Sequence, residues 1–242
     1  MAKKLPTAED FMNLLDTLYK KSLDGIPRVS PPIEDFARDY LDRHPNSKSA
    51  AKAMFNNQIA KCTTSGVITG LGGVVTMPVT IPANIGSVLY VQMRMIACAA
   101  YLGGYDLKSD QVQTFVYACL AGVSINNVVK KFGVNFGQKL ALNGVKKIPG
   151  KVLTKINQRI GFRFVTKFGQ KGLINLGKMI PVVGAAINGG FDFVETKAIS
   201  ARAYKMFIEN DFTVGETDVD LEQEIIDVDY TEIEPDETPE QE

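Results

Sequence analysis

Tryptophan is absent from the 242-residue chain, and histidine occurs once, at His44. A lone imidazole cannot build a histidine-rich metal site. His44 precedes Pro45 in a polar link and reads as a surface residue. Cysteine is scarce as well. Cys62, Cys98 and Cys119 are odd in number, far apart in apolar surroundings, and form no CxxC. That excludes a disulfide framework and a thiolate zinc site, and points to free buried thiols in a reducing compartment. The two N-terminal lysines are not followed by the apolar run of ~7–15 residues that a secretory signal needs. The chain is therefore expected in the cytoplasm, or on that side of a membrane.

Charge is missing in three places, and each absence is informative. From Cys62 to Met93 no residue is charged, 32 in a row. From Gln111 to Phe191 there is no acidic residue. From Glu216 to Glu242 there is no Lys or Arg, but thirteen Asp or Glu. Taking those thirteen from 27 acids leaves 14 against all 27 bases, so residues 1–215 carry about +13 and the tail −13. The formal net charge of zero is a sum of two opposites. Hydrophobic content of 45% and charged content of 22% otherwise suit a globular chain that buries a real core.

Helical periodicity runs through most of the body. Thr7 caps a first helix over 7–22, with Asp10 three residues on as the partner of a capping box. Phe11, Leu14, Leu15 and Leu18 make its apolar face. Gly25 and Pro27 stop it. Ser30-Pro31-Pro32 opens a second helix whose apolar side is Ile33, Phe36, Ala37, Tyr40 and Leu41. Asn46 or Ser47 caps a third over about 48–61.

The uncharged run exceeds the ~20 residues of a bilayer-spanning helix. Gly66, Gly70, Gly72, Gly73, Pro78 and Pro82 divide it into two helices, about 63–77 and 83–103. The first presents a face of small residues, Ser65, Thr69 and Gly73, that admits another backbone closely. A further uncharged stretch covers 111–129. Lys147, Lys151, Lys155, Arg159, Arg163, Lys167 and Lys171 then recur every four residues, with Ile148, Val152, Ile156, Ile160, Phe164 and Phe168 one position behind. A period of four drifts about 40° per step on a 3.6-residue helix, so a basic and an apolar stripe wind side by side. Gly161 and Gly169 allow a break between them. A last apolar helix follows Pro181 and runs to Phe207. The acidic tail, with two prolines and few aromatics, is expected to be disordered.

Two segments resemble a known family. Gly66–Tyr105, GVITGLGGVVTMPVTIPANIGSVLYVQMRMIACAAYLGGY, is similar to the EcsC family, and Ile180–Phe207, IPVVGAAINGGFDFVETKAISARAYKMF, to that family's C-terminal signature. The likeness covers roughly 60–210. It implies a bacterial, helical, membrane-associated protein, in some genomes encoded beside an ABC-transporter pair. It carries no settled activity, so no catalytic residue and no cofactor is transferred.

Other motifs fail on chemistry. Gly172–Lys178 fits G-x-x-x-x-G-K, but Met179 stands where a magnesium-holding Ser or Thr belongs, and no strand precedes it. Gly70-Leu-Gly72-Gly73 lacks the third glycine of a dinucleotide-binding fingerprint and an acidic partner ~20 residues on. Arg94, Asp192 and Glu195 are charges set in apolar sequence. They are read as a buried ion pair between Arg94 and one of the acids, and alternatively as a carboxylate pair for hydrolysis.

The expectation is an all-α protein: amphipathic helices over 1–62, an apolar and basic helical body over 63–212, and the tail over 213–242. Its expected role is non-enzymatic. The basic stripe Lys147–Lys171 would bind anionic membrane lipid, with a membrane protein such as an ABC transporter as a further partner. A nucleic-acid-binding protein, with Phe162, Phe164 and Phe168 for stacking, and a membrane-bound hydrolase using Asp192 or Glu195 are the alternatives.

Overall fold

A computed structural model of the protein describes residues 6–63, 83–130, 142–168 and 186–214. Among them the regular structure is helical, and the one extended contact is an isolated bridge between Ile26 and Ser30. The helices are α1 (Ala8–Asp24), α2 (Ile33–Arg43), α3 (Ser47–Thr63), α4 (Ala83–Leu102), α5 (Asp110–Ala121), α6 (Ile125–Lys130), α7 (Leu142–Val145), α8 (Gly150–Phe168) and α9 (Ala186–Ala203). A wide π-helical turn, Tyr204–Ile208, extends the last of them. The expected all-α class holds. The expected small-residue helix at 63–77, Gly172–Lys178 and the acidic tail lie outside the described residues.

Local chemistry explains the ends. Thr7 and Asp10 form the capping box, Asp10 N donating to Thr7 Oγ1 at 3.1 Å and Thr7 N to the Asp10 carboxylate at 2.8 Å. Asn46 Oδ1 accepts from Ser49 N at 3.0 Å at the start of α3. Gly104 closes α4 at φ +81°, a conformation without Cβ penalty, while Tyr105 N donates back to Ala100 O at 3.0 Å.

The helices meet around α4. Its residues from Leu89 to Ala100 are all buried, so it is a core helix enclosed by protein on every side. α1, α2, α3, α5 and α9 all pack on it, and α8 packs across α1 and α5. No helix among the described residues is long and apolar enough to cross a membrane. The polar groups of α4 that enter this core are handled individually. Gln92 donates to Thr196 Oγ1 of α9 at 3.1 Å, and Tyr90 OH shares a 2.6 Å hydrogen bond with Ser30 Oγ. Cys98 and Cys119 are buried thiols outside any disulfide, as expected; the side chain of Cys62 lies outside the described residues.

Candidate membrane-facing site

α8 carries the recurring bases. Its apolar stripe turns inward: Val152, Leu153, Ile156, Ile160 and Phe164 are all buried. Phe164 stacks on Phe11 of α1 with ring centroids 5.7 Å apart. The apolar stripe is spent on the protein's own core, the usual use of an amphipathic helix.

Gly161 is also different from expectation. The helix runs through it unbroken, and its missing side chain lets α1 approach. A Cβ there would stand 3.1 Å from Ala8 Cβ and 3.4 Å from Ala8 O. Close packing, not a break, explains the glycine.

What α8 leaves to solvent is its other side. Lys151, Thr154, Lys155, Gln158, Phe162, Arg163 and Thr166 are exposed, and Lys146 and Lys147 are exposed in the turn before it. Phe162 is 67% exposed, the most open large apolar side chain among the described residues. Eleven residues is close to three full turns, so Phe162 stands on the same side as Lys151, with Lys155 between them. Lys155 Nζ is steadied by Gln158 Oε1 at 3.1 Å.

The seven sequence-predicted bases therefore divide. Lys147, Lys151, Lys155 and Arg163 face water, and Arg159 is half-buried. Lys167 is half-buried and forms an ion pair with Glu195 of α9. Lys171 lies outside the described residues. Sequence reading counted Phe162 only as one of three stacking rings. It sits two residues before Phe164, out of phase with the apolar stripe by about 200°, and that phase was the available signal.

The expected pairing of Arg94 with Glu195 needs correcting too. Glu195 is taken by Lys167, and Arg94 looks the other way. Arg94 is buried, its Nη1 donates to Ser22 O of α1 at 3.0 Å, and its guanidinium lies 4.9 Å from the Phe36 ring centroid. Gln92, two residues earlier and so about 200° round α4, is the one that faces α9. Among the described residues Arg94 Nη2 has no hydrogen-bond partner. The side chain of Asp192 lies outside the described residues. Cys98, one turn after Arg94, has its thiol pushed up to about 12 by burial, against the lowering effect of the Arg94 charge.

No cluster of three His, Cys, Asp or Glu side chains that could hold a metal occurs among the described residues. Two grooves among the described residues are open to solvent. One, of about 450 Å³, is lined by Asn46, Ser47, Lys48, Leu102, Gly103 and Ile208, and the other by the Asp24–Pro32 loop.

Against known proteins, an EcsC protein family profile matches residues 43–208. One curated relative, the uncharacterized protein YdbA of Bacillus subtilis (strain 168), is 31% identical over 111 residues, 46% of this chain. That match covers 35% of YdbA, so most of the relative's length has no counterpart in it. No solved structure matches. With the family profile spanning most of the chain and the helical core described above, the protein belongs to the EcsC family.

Proposed function

We propose that the protein is a non-enzymatic, peripheral membrane accessory protein that rests the solvent-facing side of α8 on anionic lipid at the cytoplasmic leaflet. The observation that carries this reading is the exposed group Lys147, Lys151, Lys155 and Arg163 with the open ring of Phe162 among them. Four bases near an anionic surface contribute roughly 4 kcal/mol together, at ~1 kcal/mol each. Full removal of Phe162 from water adds at most about 1.5–3 kcal/mol. That sum supports reversible adsorption of a folded protein. Insertion of α8 by its apolar stripe would instead require tearing Phe164 and Ile160 out of the core.

The nucleic-acid reading is weaker on the same face. A strand-tracking groove needs successive stacking platforms. Phe164 is buried in the core, so among the described side chains of α8 Phe162 stands as a single exposed ring.

Flotation with vesicles of phosphatidylcholine alone and with about one-third phosphatidylserine tests the proposal. The protein should float only with the anionic vesicles, and less as salt rises. Combined Lys151→Gln, Lys155→Gln and Arg163→Gln should abolish flotation, and Phe162→Ser should weaken it. Unchanged flotation of the triple variant would sink the idea.

A further inference from the structure

The surface most complementary to α8 lies in the same polypeptide. We propose that the segment Glu216–Glu242 docks on the solvent-facing side of α8 and competes there with lipid, so that the protein masks its own membrane face. The docking stands on charge and tethering; its role as a brake rests on the lipid reading above.

Charge complementarity is the first argument. The segment has thirteen acids and no base, and the face it would cover shows Lys146, Lys147, Lys151, Lys155 and Arg163. At physiological ionic strength charges act over ~8 Å, so the two surfaces must touch to matter to each other.

The second argument is apolar. A tail that only repels its neighbours needs no hydrophobic residues. This one interleaves them with its acids: Asp218-Val219-Asp220-Leu221-Glu222, Asp227-Val228-Asp229-Tyr230 and Glu232-Ile233-Glu234. Alternating acidic and apolar residues are the complement of a basic face that bares the ring of Phe162.

Placement is the third. The chain just before the segment is fastened to the body. Phe212 is buried, 5.2 Å from Phe115 of α5 between ring centroids, and packs against Tyr105 and Phe207 as well. Val214 packs on the same core. Because α5 is itself packed on α8, the segment departs one helix away from its target. Neighbouring helix axes are about 8–10 Å apart. A 27-residue chain has a root-mean-square span of roughly 26–31 Å, which equals the ~28 Å length of a 19-residue helix. Tethering at that range gives an effective concentration near the millimolar scale, so a weak contact suffices to fill the face.

Carbodiimide cross-linking of the full chain, without lipid, reads the docking directly because it joins only touching carboxylates and amines. Tail acids should couple to Lys151 and Lys155 in preference to the equally exposed Lys48 and Lys52. The coupling should vanish at about 1 M salt, where screening falls to ~3 Å. A mixture of isotope-labelled and unlabelled protein should give cross-links within one chain. Coupling spread evenly over all exposed lysines, or found mainly between chains, would overturn the proposal. Vesicle binding supplies the second arm. A full-length variant with the thirteen acids changed to Asn or Gln should bind phosphatidylserine vesicles about tenfold tighter at low salt, as for a face covered nine-tenths of the time. Serine at Val219, Leu221, Val228, Tyr230 and Ile233 should give a smaller gain. Preferential coupling to α8 with no vesicle binding by either protein would remove the lipid reading and leave the docking. Equal vesicle binding by both with no preference for α8 would do the reverse.

Discussion

α4 and α8 invite opposite first impressions, and both impressions mislead in the same way. α4 carries a single charge in 20 residues and looks like a helix made for lipid; α8 carries a base every turn beside an apolar stripe and looks like a helix made to lie on lipid. In the folded chain α4 is the hub of a protein core, and the apolar stripe of α8 is part of that core's wall. Apolar sequence reports that a surface will be buried and is silent about what buries it. What remains for a partner is the part of α8 that hydrophobicity does not score: its bases and one ring out of phase.

Two phenylalanines two residues apart break this comparison most sharply. Phe164→Ala should destabilise the protein by about 3–5 kcal/mol, the cost of a large ring lost from a packed site. Phe162→Ala should change stability by less than about 0.5 kcal/mol. Denaturant melts of the two variants measure the difference. Similar losses would mean that Phe162 is packed as well.

Within α4 the test concerns its polar groups. Thr196→Val should cost about 1–3 kcal/mol by leaving the buried Gln92 amide without its acceptor. Adding Gln92→Leu should recover most of that loss, which a double-mutant cycle would show. Additive losses would mean that the two side chains act independently.

Arg94→Met should cost about 1–3 kcal/mol, because Ser22 O loses its buried donor, while among the described residues the guanidinium holds no carboxylate. A loss of about 3–5 kcal/mol in thermal or urea melts would reveal a stranded acid. The smallest expected effect is chemical. With its pKa pushed up to about 12, Cys98 should resist iodoacetamide in the native protein at about pH 7–9 and react on unfolding, read by peptide mass spectrometry.

Local signals in the sequence were the most legible. The Thr7–Asp10 capping box, the Asn46 cap and the helix opened by Pro32 stand where residue chemistry predicted, because each is decided within four residues of chain. The partner of Arg94 was not legible. It depended on which side of α4 meets α9, and a two-residue shift from Gln92 to Arg94 reverses that side. Gly161 was misread for a related reason, since its neighbour Ala8 is more than 150 residues away in sequence. The bases of the candidate site were legible as a repeat. Which of them stay in water was not, because Lys167 is claimed by Glu195 across a helix contact.

Between Ala203 and Glu209 the chain also keeps count. Tyr204–Ile208 winds more widely than an α-helix, Glu209 N reaching back to Tyr204 O at 3.1 Å, and this seats Met206, Phe207 and Ile208 in the core in direct succession. Phe207 O lies against Gly103, only 2.1 Å from where a Cβ on that residue would be. Deleting one residue here would restore an ordinary helical repeat and rotate the Phe207 carbonyl, and Phe212 after it, out of their seats. Insertions and deletions should therefore be barred from this stretch but tolerated between the exposed Lys146 and Lys147. The π turn acts as a ruler, and the number of residues from Tyr204 to Phe212 should be held fixed among family members even where the letters between them drift.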